Sequence, residues 1–376
     1  MLKPLQIADE ELTPRTPKYK LIFDALRNGI LSGEYKNGAR LPSEGELERR
    51  FGASRMTVVK AVRQLQQMGM VVRRVGSGTF VSSPGDRGSR LFGLLIPDLG
   101  QTEIFEPICQ GMAKFTQTNK HSLLWGNAVS DNEKKEQSAE HLCHQYIAQG
   151  VSGVFFAPLE YTPIKDQVNQ RIVSALDKAK IPVVLLDRCF AAYPHRSRYD
   201  LVGIENRRTA FQATEHLVKV GGKRIAFFAQ RFSASSVDAR IAGYREALFA
   251  YGMLRVADLV FAGDPADVSF LKSILDDHKP DAFLCANDRT AASFMQSLAS
   301  LGRRIPEDIR IMGIDDVKYA SLLTTPLTTQ HQPCLEIGAT AMSTMLQRLE
   351  HPELPPRDIM LSCHLVIRKS CGSQTG

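Results

Sequence analysis

Basic and hydroxyl-bearing side chains recur at helical spacing in residues 54–63, which read SRMTVVKAVR. The apolar positions repeat at intervals of three and four and define a buried face, made of Val58, Ala61, Val62, Leu65 and Met68. The opposite face then carries Arg55, Thr57, Val59, Lys60 and Arg63. A helix that presents such side chains beside the free backbone N–H groups of its first turn can bond the base edges and phosphates of a nucleic acid.

A second set of polar residues has the chemistry of a site for a polyhydroxylated ligand. Such a ligand needs planar fork donors, carboxylate acceptors and an aromatic surface for its ring. Asp288 and Asp315 each follow a predicted strand, where side chains point into a cleft, and Arg240 lies at the start of a predicted helix. A structural alternative remains for Asp288, which could cap the helix that begins at Thr290.

Residues beside the earlier predicted strands could form the other wall of the same cleft. Glu103 and Phe105 follow one strand, while Asp187 and Arg188 end another. Phe105 either stacks on the ring of a ligand or begins the buried face of its own helix. Trp125 closes a predicted strand, and its position favours a place in the core over a stacking platform.

The segment around the basic helix predicts a helix-turn-helix followed by a hairpin. Ser43 and Glu46 have the spacing of a capping box, so a short helix is predicted to begin at Glu44. Gly52 supplies the positive φ that ends this helix, and Ser54 caps the basic helix that follows. The two strands of the hairpin are predicted at residues 70–72 and 79–81, with a Gly-Ser-Gly tip at 76–78.

From residue 91 onward, short apolar strands alternate with longer segments of helical spacing. Strands are predicted at 92–96, 122–125, 153–157, 183–187, 224–229, 282–286 and 309–313. Helices are predicted at 105–118, 133–149, 164–180, 209–220, 240–251, 268–278 and 290–301. This alternation predicts parallel sheets covered by helices, in two lobes that separate near residues 189–199, with a ligand cleft at the carboxyl ends of the strands.

The excess positive charge is confined to the N-terminal quarter of the chain. Residues 1–90 hold 16 Lys and Arg and 9 Asp and Glu, whereas residues 91–376 hold 31 of each class. Such segregation is the electrostatic footprint of a domain that faces phosphate, and its binding should weaken as the salt concentration rises.

The sequence disfavours several other classes of protein. The seven cysteines are scattered without a Cys-x-x-Cys pair, which indicates reduced thiols and argues against a zinc site. No stretch reaches the roughly 20 apolar residues of a membrane span, and the first residues lack an apolar signal core, so we expect a cytoplasmic protein with no membrane partner. Nucleophile-elbow, phosphate-loop and paired-histidine motifs are absent from the sequence, so we expect no catalytic residues, metal or cofactor.

From about Tyr19 to Val81 the sequence resembles the DNA-binding domain of the GntR family. A helix before the capping box fits this likeness, with an apolar face of Tyr19, Ile22, Phe23, Leu26 and Ile30. The resemblance implies a double-stranded DNA operator as partner. The contacting residues it implies are Arg40, Ser43, Glu44, Ser54, Arg55, Thr57 and Lys60, with Gly76, Ser77 and Gly78 in the minor groove.

Two positions depart from that family pattern. Many members carry an arginine where this chain has Val59, and often a charged residue where it has Gly45. Either the chain reads a different base sequence, or neighbouring basic residues compensate, with Arg49, Lys60 and Arg63 as the candidates.

The downstream segments 214–228, 240–248, 285–292 and 305–316 fall in the order and spacing of LacI/GalR-type effector domains. That resemblance spans about residues 91–369 and implies a two-lobed, doubly wound fold of the periplasmic-binding-protein-like type I. It implies a ligand-clamping Arg240 with Asp288 and Asp315 as acceptors of hydroxyl groups. Phe105 and Arg188 complete the predicted effector site from the first lobe.

The whole chain is therefore predicted to be an α/β protein with an N-terminal winged helix-turn-helix. The predicted limits are 1–81 for the winged domain, 82–90 for a linker and 91–370 for an effector-binding and dimerisation domain. Its first lobe would hold about 91–190 and 324–355, and its second about 191–323 and 356–370. Within these limits, the two carboxylates proposed to bind the effector, Asp288 and Asp315, both lie in the second lobe.

We expect a ligand-responsive transcriptional regulator, most simply a homodimeric repressor of carbohydrate-use genes that a monosaccharide releases from its operator. Two alternatives keep this architecture: a non-sugar effector such as a nucleobase, or action as an activator. An enzyme is disfavoured by the missing motifs, and a periplasmic sugar carrier would need an export signal and no DNA-reading domain.

Overall fold

The computed structural model describes residues 18–373, apart from residues 37, 68–69, 75–76, 82–89, 98–102, 120, 127–134 and 254–258. The chain divides near residue 91 into two compact units. Of the predicted linker, residues 82–89 lie outside the described residues.

The N-terminal unit has three helices and a two-stranded hairpin. They are α1 (Lys18–Leu31), α2 (Glu44–Phe51), α3 (Arg55–Gln67), β1 (Val71–Arg74) and β2 (Gly78–Val81). The strands are antiparallel, with Val71 opposite Val81. The apolar faces of the three helices meet in one core, in which Ile22, Val58 and Leu65 are fully buried. The predicted winged helix-turn-helix layout is confirmed.

Local interactions explain why α2 begins and ends where the sequence predicts. The Ser43 hydroxyl accepts a bond from the Glu46 backbone N–H, and the Ser43 backbone N–H donates to the Glu46 carboxylate at 2.7 Å. This capping box satisfies backbone groups that the first helical turn leaves unpaired. At the other end Gly52 adopts the left-handed conformation, with φ of 55°.

The second unit alternates strands and helices. In chain order its elements are β3 (Leu91–Leu95), α4 (Phe105–Asn119), β4 (Ser122–Trp125), α5 (Lys135–Gln149), β5 (Gly153–Phe156), α6 (Lys165–Lys178), β6 (Val183–Leu186), β7 (Asp200–Ile204), α7 (Asn206–Lys219), β8 (Ile225–Ala229), α8 (Ser235–Ala250), β9 (Val260–Ala262), α9 (Val268–His278), β10 (Ala282–Cys285), α10 (Asp288–Ser300), β11 (Arg310–Met312), β12 (Thr329–His331), α11 (Cys334–Glu350), β13 (Asp358–Leu361) and β14 (His364–Val366).

Two sheets divide this unit into two lobes. The first-lobe sheet has the strand order β13-β7-β6-β5-β3-β4, and the second-lobe sheet has the order β11-β10-β8-β9. In the first-lobe sheet, the neighbouring strands β13 and β7, β7 and β6, β6 and β5, and β5 and β3 pair in parallel. All the pairs of the second-lobe sheet are parallel too. The predicted doubly wound parallel fold is thus confirmed. In the first lobe α11 packs on α4, and in the second α8 packs on α7.

The predicted limits of the lobes need correction. The sequence placed the first crossing near residue 190 and returned the chain to the second lobe at 356. Instead β7 and β13 both pair within the first-lobe sheet, so the chain leaves that lobe after Ile204 and again after Leu361. The predicted return at 324 also fails, because residues 328 and 331 bridge to Met312 and Asp315 of the second lobe. The cause is β7, which follows β6 without an intervening helix and so escapes a pattern that alternates strand with helix.

Trp125, the single tryptophan, ends β4 and is 61% exposed, so the prediction of a core position is wrong. Among the described residues, no helix combines the length and apolar composition required to span a bilayer.

Candidate functional site

A narrow polar cavity lies between the two lobes of the second unit, at the carboxyl ends of the strands. Its accessible volume is about 50 Å³. The lining residues are Glu103, Ile104, Phe105, Glu160, Tyr161, Asp187, Arg188, Ser236, Val237, Arg240, Asn287, Arg289 and Asp315. Four of the five predicted effector residues are among them; the exception is Asp288. Since one ordered water takes roughly 10–15 Å³ of such space, the cavity as it stands admits only a few waters.

The first-lobe wall is organised around Arg188, which lies two residues after the end of β6. Its Nη1 donates to Glu160 Oε1 at 2.5 Å and to Asp187 Oδ2 at 3.3 Å, and its Nε donates to the Pro158 carbonyl at 2.8 Å. All three charged side chains are buried. The desolvation of these ions is offset by their mutual attraction and by hydrogen bonds to the backbone, so the cluster is sensitive to the loss of a member.

Phe105 contributes the apolar part of the same wall. It is the first residue of α4 and is fully buried, yet it lines the cavity. The Arg188 guanidinium carbon lies 5.5 Å from the centre of its ring, a cation–π distance. Both sequence interpretations of Phe105 therefore describe part of its position, because it begins the buried face of the helix and also borders the cavity.

On the second-lobe wall, Arg240 has one amino group that makes no hydrogen bond to the described residues. Arg240 lies on α8 and is 4% exposed. Its Nε donates to Asn206 Oδ1 at 2.8 Å and its Nη1 donates to the Ala286 carbonyl. Among the described residues no hydrogen bond uses Nη2. The side chain is therefore held rigidly while one amino group stays available to a ligand in the cavity.

Asp315 offers an acceptor in the same cavity. Its Oδ1 accepts a bond from Gln332 Nε2 at 2.6 Å, and its φ of 140° lies in a region that L-residues rarely adopt. Strain of this kind persists where the surrounding structure fixes it, and it clusters at ligand sites. Burial raises the pKa of the Asp315 carboxyl well above its usual range, an effect that the nearby Arg240 charge opposes.

Asp288 does not line the cavity, which corrects the prediction that it binds the effector. It is fully buried, and its carboxylate accepts bonds from the Thr329 hydroxyl at 2.6 Å and the Val317 backbone N–H at 3.1 Å. Burial raises its pKa to about 6 despite these two bonds. Asp288 thus ties the segments after β11 and at β12 to the start of α10.

The neighbours of Asp288 take the roles that the sequence assigned to it. Asn287 Oδ1 caps α10 by accepting from the Thr290 backbone N–H at 2.8 Å, and Asn287 Nδ2 donates to the Tyr161 hydroxyl at 3.2 Å. Asn287 and Arg289 both line the cavity. Asn287 is the cap of α10 and Asp288 its first residue, and of these two only Asn287 lines the cavity.

Glu160 and Tyr161 were missed by sequence reasoning. Both follow β5 by a few residues, so the rule that polar residues beyond strand ends enter a cleft could have found them. The Tyr161 backbone N–H donates to the Phe232 carbonyl of the second lobe at 2.8 Å, and both residues have positive φ, of 61° and 58°. Glu160 Oε2 accepts from the Ala234 backbone N–H at 3.3 Å. These contacts join the two lobes across the cavity.

The predicted DNA-contacting residues lie on the surface of the N-terminal unit. Arg55 is 76% exposed and pairs with Glu44 at 3.3 Å, while Glu44 also pairs with Arg73 at 3.2 Å. The Ser54 and Thr57 hydroxyl groups are 2.9 Å apart at the start of α3. The first turn of α3 therefore presents two hydroxyls and a guanidinium group to the surroundings.

The remaining predicted contacts flank this turn. Lys60 Nζ lies 4.1 Å from the centre of the Tyr19 ring, and Ser43 is occupied by its capping box. Gly78 has φ of 111°, and the Arg40 guanidinium lies so close to its Cα that a side chain could not be added there without moving Arg40. Ser77 is exposed in the turn of the hairpin, and Gly76 lies outside the described residues.

Family models match both parts of the chain. The model for bacterial regulatory proteins of the gntR family matches residues 18–81, and the periplasmic binding protein-like domain model matches residues 214–371. The chain joins a GntR-family domain to a periplasmic-binding-protein-like domain. The first match covers all five elements from α1 to β2, and the second covers Arg240, Arg289 and Asp315 but not the Phe105–Arg188 wall.

Similar proteins extend this result over most of the chain. It is 27% identical to the arabinose metabolism transcriptional repressor of Geobacillus stearothermophilus over 94% of this chain and 97% of that protein. Its fold resembles the transcription regulator CcpA of Lactococcus lactis, with a TM-score of 0.64 and 21% identity over 75% of this chain and 99% of the other. A LacI family regulator from Enterococcus faecium, solved with bound ribose, aligns with a TM-score of 0.61 and 23% identity over 75% of this chain and 98% of the other.

Possible metal ligands are not clustered in either domain, among the residues of 18–373 that the structure describes. No group of three or more His, Cys, Asp or Glu side chains is arranged there to hold a metal ion.

Proposed function

We propose that this chain is a ligand-responsive transcriptional repressor of carbohydrate-use genes, which binds an operator through its GntR-family domain and leaves it when a sugar occupies the cavity. The observation that carries the proposal is the cavity of a periplasmic-binding-protein-like domain, with an unused donor on Arg240 and a buried acceptor on Asp315, in a chain that also carries a DNA-binding domain. Relatives named as repressors of arabinose metabolism and of the ribose operon support it.

An uncharged, hydroxyl-rich ligand fits the chemistry of the cavity. The Arg188 charge is met by Glu160 and Asp187, and that of Arg240 is met in part by Asp315. A neutral ligand leaves these pairs intact, and its hydroxyl groups can donate to a carboxylate and accept from a guanidinium at once. We propose a monosaccharide as this ligand.

Entry of a monosaccharide requires the lobes to separate, because the present cavity admits only a few waters. The two lobes are joined by three segments of chain, after Ile204, between His331 and Cys334, and after Leu361. Few backbone torsions therefore need to change for the lobes to move as rigid bodies. A sugar that contacts both walls would then select one arrangement of the lobes by its differential affinity.

Two copies of the chain would give the effect of the sugar a route to the DNA. A homodimer reads two half-sites of a near-palindromic operator, so a change in the spacing of its two winged domains lowers affinity. We propose release from DNA in the cytoplasm, without catalysis. Recruitment to DNA by the sugar is the alternative outcome, in which the chain acts as an activator.

A thermal-shift screen tests the sensing half of this proposal. The panel contains pentoses, hexoses, deoxysugars, uronic acids and nucleobases, because ligand binding to the folded state raises stability by RT ln(1 + [L]/Kd). We expect one monosaccharide to raise the Tm of the wild type and to raise that of Arg240→Ala by less at the same concentration. A nucleobase that raises Tm while no sugar does would overturn the sugar assignment, and equal shifts in both variants would remove the ligand from this cavity.

A binding selection tests the DNA half. Random duplex DNA is selected on the full chain, and the affinity of the selected duplex is measured as a function of salt. We expect one near-palindromic sequence to be enriched, with a log–log salt slope that reflects several phosphate contacts. No enrichment over the input library would contradict an operator-binding protein.

A further inference from the structure

The outward face of α3 is centred on an apolar side chain. Successive residues of an α-helix are about 100° apart, so Met56 points away from the core residues Val58, Ala61 and Leu65. Its side chain is 78% exposed. It lies in the first turn of the helix, between Arg55 and Thr57, where the predicted contacts with DNA are concentrated.

Val59 extends this apolar surface by one turn. It is half-buried and lies three residues beyond Met56, so the two side chains are neighbours on the helix surface. Lys60 and Arg63 are exposed on the same side of the helix. The result is a short apolar stripe within a basic face.

The charge of the helix restricts what can cover this stripe. α3 contains Arg55, Lys60 and Arg63 and no acidic residue. A second copy of this face would bring like charges together, and an ordinary apolar protein partner would leave Lys60 and Arg63 without counter-ions, since among the described residues only Arg55 of the three cations is paired, with Glu44. The phosphates that border the major groove of DNA supply those counter-ions, and the groove floor can receive the stripe.

One group on the floor of the major groove matches the stripe chemically. Thymine carries a C5-methyl group there, while the other exposed groups of the base pairs are donors and acceptors of hydrogen bonds. A methionine side chain is flexible and polarisable, so it adapts well to a methyl group. We propose that Met56, with Val59 beside it, contacts the methyl group of thymine and so specifies thymine at one or two positions of each half-site.

This inference rests on the proposed function and deepens it, because it names a base that the GntR-family domain reads. Val59 is the second apolar residue of the surface that would read this base. An arginine there would favour guanine, which accepts two hydrogen bonds from a guanidinium group. A valine turns the same position toward an apolar group.

The experiment replaces each thymine of the selected duplex, one at a time, by deoxyuridine. This change removes the methyl group and leaves every hydrogen bond of the base pair in place. We expect one or two positions at which the wild type loses about threefold to fivefold in affinity, the factor that burial of a single methyl group supplies. At those positions Met56→Ala should bind the thymine and uracil duplexes equally.

Two matched variants separate this contact from general effects. Met56→Leu keeps an apolar side chain and should keep the preference for thymine. Arg63→Ala should weaken binding to both duplexes by the same factor and reduce the salt slope by about one unit, as the loss of a phosphate contact does. Met56 is exposed, so these substitutions leave the core of the domain untouched.

Each outcome decides a different claim. A selected duplex that tolerates uracil everywhere overturns the thymine assignment and leaves the repressor proposal standing. A preference for thymine that survives in Met56→Ala assigns the reading to another residue and overturns the role of Met56. Failure to select any duplex overturns the repressor proposal together with this inference.

Discussion

Arginine serves both functional regions of this chain under opposite physical conditions. On the winged domain Arg55 is 76% exposed and pairs at 3.3 Å with the half-buried Glu44, whereas in the cavity the Arg188 side chain is 7% exposed and is held by two buried carboxylates. An exposed pair contributes little to stability and is screened by salt. A buried cluster is strongly coupled to the fold.

On the winged domain, a substitution can therefore change binding without changing the stability of the fold. In the cavity, a substitution changes both. Arg55, a predicted DNA contact, can be changed at small cost to folding, because its side chain is exposed. The cavity side chains are fixed before any ligand enters, so a change in them alters both the site and the fold.

The largest effect is expected for Arg188→Ala. It leaves Glu160 and Asp187 buried without their counter-charge, so we expect the free energy of unfolding to fall by about 3–5 kcal/mol. Urea denaturation monitored by Trp125 fluorescence measures this, because the single tryptophan lies in the unit that contains the cavity. Arg55→Ala is the matched control and should change stability by less than about 0.5 kcal/mol. Equal free energies of unfolding for Arg188→Ala and Arg55→Ala would contradict this difference between the cavity and the winged domain.

A second prediction concerns the pH dependence of stability set by Asp288. Burial raises its folded pKa to about 6, above the ordinary value of 3.8, so its contribution to stability is fully present below pH 3.8 and is lost as the pH rises through about 6. The loss amounts to at most about 3 kcal/mol. The stability deficit of Asp288→Asn relative to the wild type should therefore shrink between pH 4.5 and pH 7.5. A deficit that grows over this range would contradict the assignment.

The third prediction concerns ligand binding at Arg240. Arg240→Ala removes a fixed charge-assisted donor, which costs about 1.5–3 kcal/mol of binding, or roughly 10- to 100-fold in the Kd of the sugar found by the thermal screen. Isothermal titration measures this value. Arg231→Ala, an exposed arginine outside the cavity lining, is the control and should retain wild-type affinity. If both variants bind as the wild type does, the cavity is not the sugar site.

The smallest effect on folding, and a clear effect on DNA, is expected for Arg55→Ala. We expect operator affinity to fall by about 1–3 kcal/mol if Arg55 bonds a base, and the salt slope to fall by about one unit if it bonds a phosphate. Fluorescence anisotropy at several salt concentrations distinguishes the two. An unchanged affinity and slope would remove Arg55 from the recognition surface.

The winged domain and the cavity also differ in how far the sequence predicts them. The winged domain is built from local signals: the capping box at Ser43, the left-handed Gly52 and the apolar spacing of α3 all act within a few residues. Local rules therefore predicted its elements nearly residue by residue. Gly76 lies outside the described residues, so its role at the wing tip stays a prediction.

The cavity depends on contacts between distant segments, which a pattern in one segment does not reveal. Tyr161 meets Asn287 across 126 positions, and Glu160 meets Arg188 across 28. Strand ends marked Asp315 and Arg188 as candidates, and both line the cavity, whereas Asn287 lines it in place of Asp288 because of side-chain directions set by tertiary packing. The lobe limits failed for a related reason, because β13 joins the first-lobe sheet from more than 150 residues beyond its partner strand β7.

The most direct test of the account is the operator affinity of the wild type and of Arg240→Ala, each measured with and without a saturating amount of the sugar found by the thermal screen. We expect sugar to lower the wild-type affinity by about 5- to 150-fold, the usual range of coupling between two sites, and to lower the affinity of Arg240→Ala by a smaller factor at the same concentration. An operator affinity that sugar leaves unchanged or increases in the wild type, while it still raises Tm, would contradict the claim that the cavity releases the winged domain from DNA.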